Sequence, residues 1–158
     1  MVAQEKINIK NKRAEFDYQF TDRFAAGIML HGSEIKSIRD GGGSISEAFC
    51  FVRDGEVFIK NMNIPEYSHG AYANHEVLRQ RKLLLTKREL KKIDSKIRER
   101  GFALIPIRLF INERGFAKIE IGIGKGKKQF DKRESIKQKD SKREMDRVLK
   151  KYKQVIKK

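Results

Sequence analysis

Two apolar segments, 48–53 and 56–64, are separated only by Asp54-Gly55. A two-residue hairpin turn needs positive φ at both of its residues, and Asp-Gly is one of the few pairs that accepts this without strain. The chain must therefore reverse here, which lays the two segments antiparallel. A second hairpin is predicted at 112–115, between 102–111 and 116–123. In its second strand Ala117, Ile119, Ile121 and Ile123 alternate with Lys118 and Glu120, so one face is apolar. Phe16, Tyr18 and Phe20 alternate with Asp17 and Gln19, which predicts three aromatics on one strand face, and 27–30 is a further short apolar run. Pro106 marks an edge or a bulge in its strand.

Helices are fewer. Thr86-Lys87-Arg88-Glu89 has the form of a capping box, with Leu85 and Leu90 at the hydrophobic-staple positions. Leu90, Ile93 and Ile97 then make one apolar stripe, and Gly101 supplies the stop. A shorter helix is predicted over 33–39, ended by Asp40 and three glycines. Short strands with interspersed helices predict a mainly β fold, a small antiparallel β-barrel.

Charge divides the chain. Residues 125–158 hold 15 Lys/Arg against 5 Asp/Glu, a net +10 of the total +16. The expected organisation is a folded body over 1–124 and a basic tail over 125–158. Within the tail, Met145, Val148, Leu149, Tyr152, Val155 and Ile156 follow helical spacing, and Ser141-Lys142-Arg143-Glu144 is a second capping-box pattern. A lone helix of this kind is marginal in water, so the tail is expected to be disordered when free and helical when bound. The same apolar face could instead be buried on the body.

A strongly basic chain points to a polyanionic partner. No apolar run approaches the ~20 residues of a membrane span, and the N-terminal residues lack the apolar core of a signal peptide. No membrane role is expected, and the address is cytoplasmic. One cysteine, Cys50, lies in an apolar strand and reads as a core residue. His31, His69 and His75 show no metal-ligand spacing, so neither metal nor cofactor is implied. The glycines and lysines over 122–128 are one residue short of a phosphate loop and lack its Ser/Thr. Arg114-Gly115-Phe116 reads as a turn entering a strand, without the later aromatics of an RNA-recognition motif. No carboxylate pair is marked for acid–base work, so the chain is not expected to be an enzyme. Tyr67, Tyr72 and His75 are candidate base-stacking groups, with packing over the barrel end as the alternative. A structural ribosomal protein that holds rRNA with a basic arm fits the same charge pattern.

Asn11-Lys12-Arg13-Ala14 precedes the first strand, and Gly32-Ser33-Glu34-Ile35-Lys36-Ser37-Ile38-Arg39 follows it. Asp54-Gly55-Glu56, Asn63-Ile64, Arg81-Lys82-Leu83-Leu84-Leu85 and Arg88-Glu89-Leu90 come next, then Gly124-Lys125-Gly126-Lys127-Lys128 and Asp131-Lys132-Arg133-Glu134. In this order the segments resemble the tmRNA-binding small protein B (SmpB) family, from about residue 8 to 149.

The resemblance implies an oligonucleotide-binding (OB) type barrel. It implies binding to the tRNA-like part of tmRNA (SsrA RNA) and rescue of stalled ribosomes by trans-translation. It further implies contact with the small-subunit decoding region, its rRNA and the mRNA channel, and with elongation factor Tu indirectly through charged tmRNA. Carried over by motif, the RNA-binding residues are Asn11, Lys12, Arg13, Glu34, Lys36, Arg39, Arg81, Lys82, Leu84, Lys125, Lys127 and Lys128. The ribosome-facing tail residues are Asp131, Lys132 and Arg133, with Met145, Val148, Leu149 and Tyr152 on the tail stripe. The family usually has an acidic residue before Ala-Gly in the second strand, and here Ala25 stands in that place.

Overall fold

The computed structural model describes the backbone of residues 7–69, 74–127 and 129–156, and the side chains of these apart from 129–132, 134, 135 and 154–156. The chain divides into two units, Met1–Gly126 and Lys127–Lys158. The division falls just past the expected boundary at 124 because the last strand continues to Gly126.

The first unit is built on one antiparallel sheet. Its strands are β1 (Asn8–Lys10), β2 (Tyr18–Ile28), β3 (Phe49–Arg53), β4 (Glu56–Lys60), β5 (Arg81–Leu84), β6 (Phe102–Ile111) and β7 (Ala117–Gly126). Their hydrogen-bonded order is β1-β6-β7-β2-β5-β4-β3. Three helices accompany them: α1 (Ala14–Asp17), α2 (Gly32–Arg39) and α3 (Lys87–Ile97).

Local chemistry accounts for the turns. The β3–β4 hairpin reverses on Asp54 and Gly55 with φ of 51° and 75°, the left-handed pair that this dipeptide favours. The β6–β7 turn is held by Asn112, whose Oδ1 accepts from the N–H groups of Arg114 (3.1 Å) and Phe116 (2.9 Å). The β6–β7 register shifts between Pro106 and Arg108, the bulge expected where a strand residue lacks its N–H. Helix α3 starts on the expected box: Glu89 N–H donates to Thr86 Oγ1 (3.3 Å) and Thr86 N–H donates to Glu89 Oε2 (2.9 Å).

Alternation along the strands directs Val57, Ile59, Leu83, Leu109, Ile119, Ile121 and Ile123 into one core, each at most 1% exposed. Ile38 of α2 and Ile93 of α3 close over it, and Cys50 lies within it. Full burial of each large aliphatic side chain stabilises the fold by about 1.5–3 kcal/mol.

Four expectations need correction. Phe16 does not share a strand face with Tyr18 and Phe20, because it lies in α1. Strands β1 and β5 add to those expected. The barrel is open in its hydrogen bonding: the ladder ends on β1 and β3, and no ladder joins these edges among the described residues. Cα atoms of β3 and β6 come within 8 Å of each other with no ladder between them among the described residues.

The fourth correction concerns the second unit, which contains helix α4 (Gln129–Ile156). No Gly or Pro occurs after Gly126 to interrupt it. Ser141 therefore sits inside the helix and does not cap it. Met145, Val148, Leu149 and Tyr152 lie on one side, each more than half exposed.

Candidate nucleic-acid interface

The same alternation that buries Ile119 and Ile121 turns Lys118 and Glu120 to the outer face of the sheet. The registers then assemble two rows. One runs Asn8–Phe110–Lys118–Gly27–Leu84 across β1, β6, β7, β2 and β5. The other runs Lys10–Arg108–Glu120–Ala25. At the centre of the first row there is no side chain. A Cβ on Gly27 would lie 3.3 Å from Leu84 Cβ and 3.7 Å from Lys118 Nζ. Leu84 and the Lys118 ammonium thus converge over bare backbone, with Leu84 49% exposed.

Charges on the second row are tied together. Glu120 accepts from Arg108 Nε (2.6 Å) and from Arg23 Nη1 (3.4 Å). Arg108 also lies over the Phe110 ring, 4.3 Å from its centroid. Neither Lys118 nor Lys10 at the edge of the second row has an ion pair among the described residues, so both ammonium groups on this face can take an anion. A groove of about 370 Å³ continues from the row toward α2, with Leu84, Lys118, Arg39 and Phe116 on its walls and Ile35 on its floor. Phe116 is 63% exposed. Arg39 donates to the Gly115 carbonyl (3.1 Å), which fixes its guanidinium beside the ring.

Beneath this surface lies a buried ion cluster. Glu34 and Arg81 are both completely buried. Arg81 Nε donates to Glu34 Oε2, while Arg79 Nη2 (2.6 Å) and His31 N–H (2.9 Å) donate to Glu34 Oε1. The Arg81 Nη atoms donate to the carbonyls of Met62 (2.7 Å), Arg79 (2.9 Å), Val77 (3.2 Å) and Glu76 (3.4 Å). Burial alone would push the Glu34 carboxyl up. The hydrogen bonds from His31 N–H, Arg79 and Arg81, with the charge of Arg81, outweigh it and hold the group below its ordinary value. Burial also pulls the Arg81 guanidinium down, against the opposing pull of Glu34. The cluster locks α2 to the segment leading into β5. Both charges are enclosed, and Glu34 orients the neighbouring Arg79 and Arg81 guanidinium groups.

The other expected site residues are spread more widely. Lys36 is exposed on α2, its Nζ 5.7 Å from the Tyr67 ring centroid. Lys82 is tied to Glu56 at 2.6 Å and lies beside Phe58 on the neighbouring strand. Asn11 is buried: its backbone N–H donates to the Ile107 carbonyl (2.8 Å) and its Nδ2 to the Pro106 carbonyl (3.0 Å), with Lys12 and Arg13 exposed after it. Lys125 is exposed at the end of β7, 4.7 Å from the Phe102 centroid, and Lys127 is half-buried. Arg133 is exposed on α4. Asp131 and Lys132 belong to α4, but their side chains lie outside the described residues, as do Lys128 and Tyr72 entirely.

His75 is not a stacking group. It is 6% exposed, its Nε2 donates to the Ile64 carbonyl (2.8 Å), and its Nδ1 is hydrogen-bonded to Ser33 Oγ (2.9 Å), from which it accepts when the ring is neutral. A carbonyl can only accept, which fixes this tautomer. Tyr67 is half-buried against His69. Sequence reasoning did not select Lys118 or Phe116. The alternation of β7 already turned Lys118 outward, but only the cross-strand register brings it beside Leu84. Among the described residues no helix is long and apolar enough to cross a membrane, and no three His, Cys, Asp or Glu side chains could hold a metal.

Comparison with known proteins gives one consistent result. The family model for SmpB protein matches residues 8–151. An SsrA-binding protein of Phocaeicola vulgatus is 55% identical over 144 residues, covering 91% of this chain and 96% of that protein. Those of Parabacteroides distasonis and Bacteroides thetaiotaomicron are 56% and 54% identical over 91% and 93% of the chain. A solved chain from "tmRNA-SmpB: a journey to the center of the bacterial ribosome" superposes with a TM-score of 0.65 at 40% identity, covering 78% of this chain and 86% of that one. The chain belongs to the SmpB family.

Proposed function

We propose that the protein binds the tRNA-like domain of tmRNA through the sheet face centred on Gly27 and delivers it to stalled ribosomes for trans-translation. The carrying observation is the Lys118 ammonium, without an ion pair among the described residues, converging with exposed Leu84 over the buried Gly27, beside Phe116 and Arg39. Lysine neutralises phosphate and releases counterions. An exposed ring such as Phe116 stacks on an unpaired base. Direct contact falls to Lys36, Arg39, Leu84, Phe116 and Lys118, with Lys12, Arg13, Lys82, Lys125 and Lys127 as outlying cations. Glu34, Arg81 and Asn11 act from below by holding the elements that carry these groups. The first unit is an OB-type barrel whose β3–β6 seam is closed by side chains. The close approach of those two strands supports this.

The tail enters the vacant mRNA channel near the decoding region, where α4 sets its basic side chains against rRNA phosphates and its Met145–Tyr152 stripe against bases or protein. The exposed apolar stripe of a basic helix supports this reading. Elongation factor Tu is met only through charged tmRNA, the setting is the cytoplasm, and the protein needs no catalytic group or cofactor. The test is titration of a tRNA-like tmRNA fragment with wild type and with Phe116→Ala. Loss of one stacked base predicts about 5- to 150-fold weaker binding. Unchanged affinity, with the variant folded as wild type, would move the RNA off this groove.

A further inference from the structure

A second cleft of the first unit, of about 770 Å³, is lined by residues of β3, β6 and α3. Tyr18, Phe49 and Phe51 line it, together with Asp54 of the hairpin turn and Asp94 and Arg98 of α3. Phe49 is 43% exposed, a large apolar ring left in water on an edge strand. Its centroid is 6.2 Å from that of Phe51, which stacks at 5.7 Å on Phe58 of the next strand. Phe49 and Phe51 thus give the cleft an aromatic wall, and Phe58 supports Phe51 from the next strand. Arg98 lines the cleft with its side chain 79% exposed; outside the lining, Arg53 lies 4.0 Å from Asp54, and Lys60 is the register partner of Phe49. Asp94 holds Arg98 at 3.1 Å.

We infer that this cleft is a second RNA site, which takes unpaired bases of a single-stranded segment. The chemistry selects that partner. Every base has a π-face that stacks on exposed aromatics without regard to sequence, while nearby cations follow the phosphates. A duplex keeps its base faces stacked on one another and cannot present them to a wall of this kind. Asp54 and Asp94 add carboxylate acceptors for the amino and imino groups of base edges. The inference rests on RNA being the ligand of this protein, but not on the groove beside Lys118.

The test uses the full chain with short oligouridylate and oligoadenylate, and in parallel a tRNA-like tmRNA fragment. Phe49→Ala should weaken oligonucleotide binding about 5- to 150-fold. Phe49→Tyr, which keeps a ring, should restore it. Affinity for the tRNA-like fragment should stay unchanged, and ultraviolet cross-links to the oligonucleotides should map to peptides holding Tyr18, Phe49 or Phe51. Oligonucleotide affinity unaltered in Phe49→Ala, or cross-links confined to Phe116 or the tail, would overturn the inference. So would loss of both RNAs without rescue by tyrosine, which would make Phe49 a folding residue. Binding of a peptide spanning 129–156 in place of the oligonucleotides would give the cleft to a protein occupant instead. Wild type that binds the tRNA-like fragment but no oligonucleotide refutes this site alone. Wild type that binds neither refutes the RNA reading as a whole.

Discussion

Glu34→Gln is the sharpest test of how the face is held. Gln keeps the volume of Glu34 and one oxygen for the His31 N–H, but it removes the carboxylate that is bonded to Arg81 among the described residues. The Arg81 guanidinium would remain fully buried among the carbonyls of Met62, Arg79, Val77 and Glu76. Leaving one partner of a buried ion pair uncompensated costs about 3–5 kcal/mol. For a unit of this size that lowers Tm by ~10–20 °C. Urea denaturation followed by circular dichroism measures it. Arg81→Met in the Glu34→Gln background should recover part of the loss, because no uncompensated guanidinium is then buried.

Acid behaviour gives a second readout of the same variant. The folded Glu34 carboxyl lies below its ordinary value of 4.5. The unfolded chain therefore takes up this proton before the folded one does. The resulting stabilisation is complete above that ordinary value and is lost as pH falls through the lower folded one. Glu34→Gln should flatten the fall in stability within that window. A variant that loses less than about 1 kcal/mol, keeps the wild-type acid limb and yet binds RNA poorly would refute the reasoning, since Glu34 would then act on RNA directly.

Lys118→Ala should lower the slope of log affinity against log salt by about 0.7–0.9, the share of one phosphate contact, and Lys82→Ala should lower it less because Glu56 already engages that ammonium. Gly27→Val places a branched side chain where even a Cβ sits 3.3 Å from Leu84. It should displace Leu84 and weaken tRNA-like RNA binding while leaving the urea midpoint little changed. Ala25→Glu sets a second carboxylate directly opposite Glu120 and should cost about 0.2–1 kcal/mol in urea denaturation, since like charges facing across strands repel. Val148→Pro removes a helical donor and clashes with the preceding turn, worth about 3 kcal/mol of helix stability. Tagging on stalled ribosomes should fall sharply while binding to isolated tRNA-like RNA holds; normal tagging would show that a continuous tail helix is unnecessary.

Much of the fold is legible in the sequence, because turn chemistry and alternation are local. Asp54-Gly55, the Thr86 box and the isoleucines of β7 each declare their element within a few residues. Elements that lack such a signal are hidden. Strand β5 begins Arg81-Lys82, which reads as surface, yet Arg81 is fully buried because Glu34 and four carbonyls surround it. Nothing local reports those partners, which come from α2 and from the loop before β5. Strand β2 is polar or small over much of its length because its outer residues, Arg23, Ala25 and Gly27, serve the exposed face. Helix α4 runs through Ser141 because a Ser-x-x-Glu pattern caps a helix only where the preceding backbone is extended, and residues 129–140 are helical. The site was legible as a set of motifs but not as a surface. Motif membership does not distinguish a charge that faces RNA from one that supports the surface from within.

That distinction explains the departure at position 25. Family members usually have an acid there, and an acid at Ala25 in this chain would face Glu120 directly across β2 and β7. Glu120 is already bonded to Arg108 from β6 and to Arg23 from β2. The row therefore keeps one carboxylate, carried by the neighbouring strand and locked between two guanidinium groups. Ala25 presents only a methyl group on the outer face of β2, two residues before Gly27, where Leu84 and Lys118 converge. Two opposed carboxylates would repel each other and also repel incoming phosphate. A single neutralised one fixes Arg108 over Phe110 and leaves the Lys118 charge unopposed. Glu120 thus orders the two arginines beside it, Arg108 and Arg23.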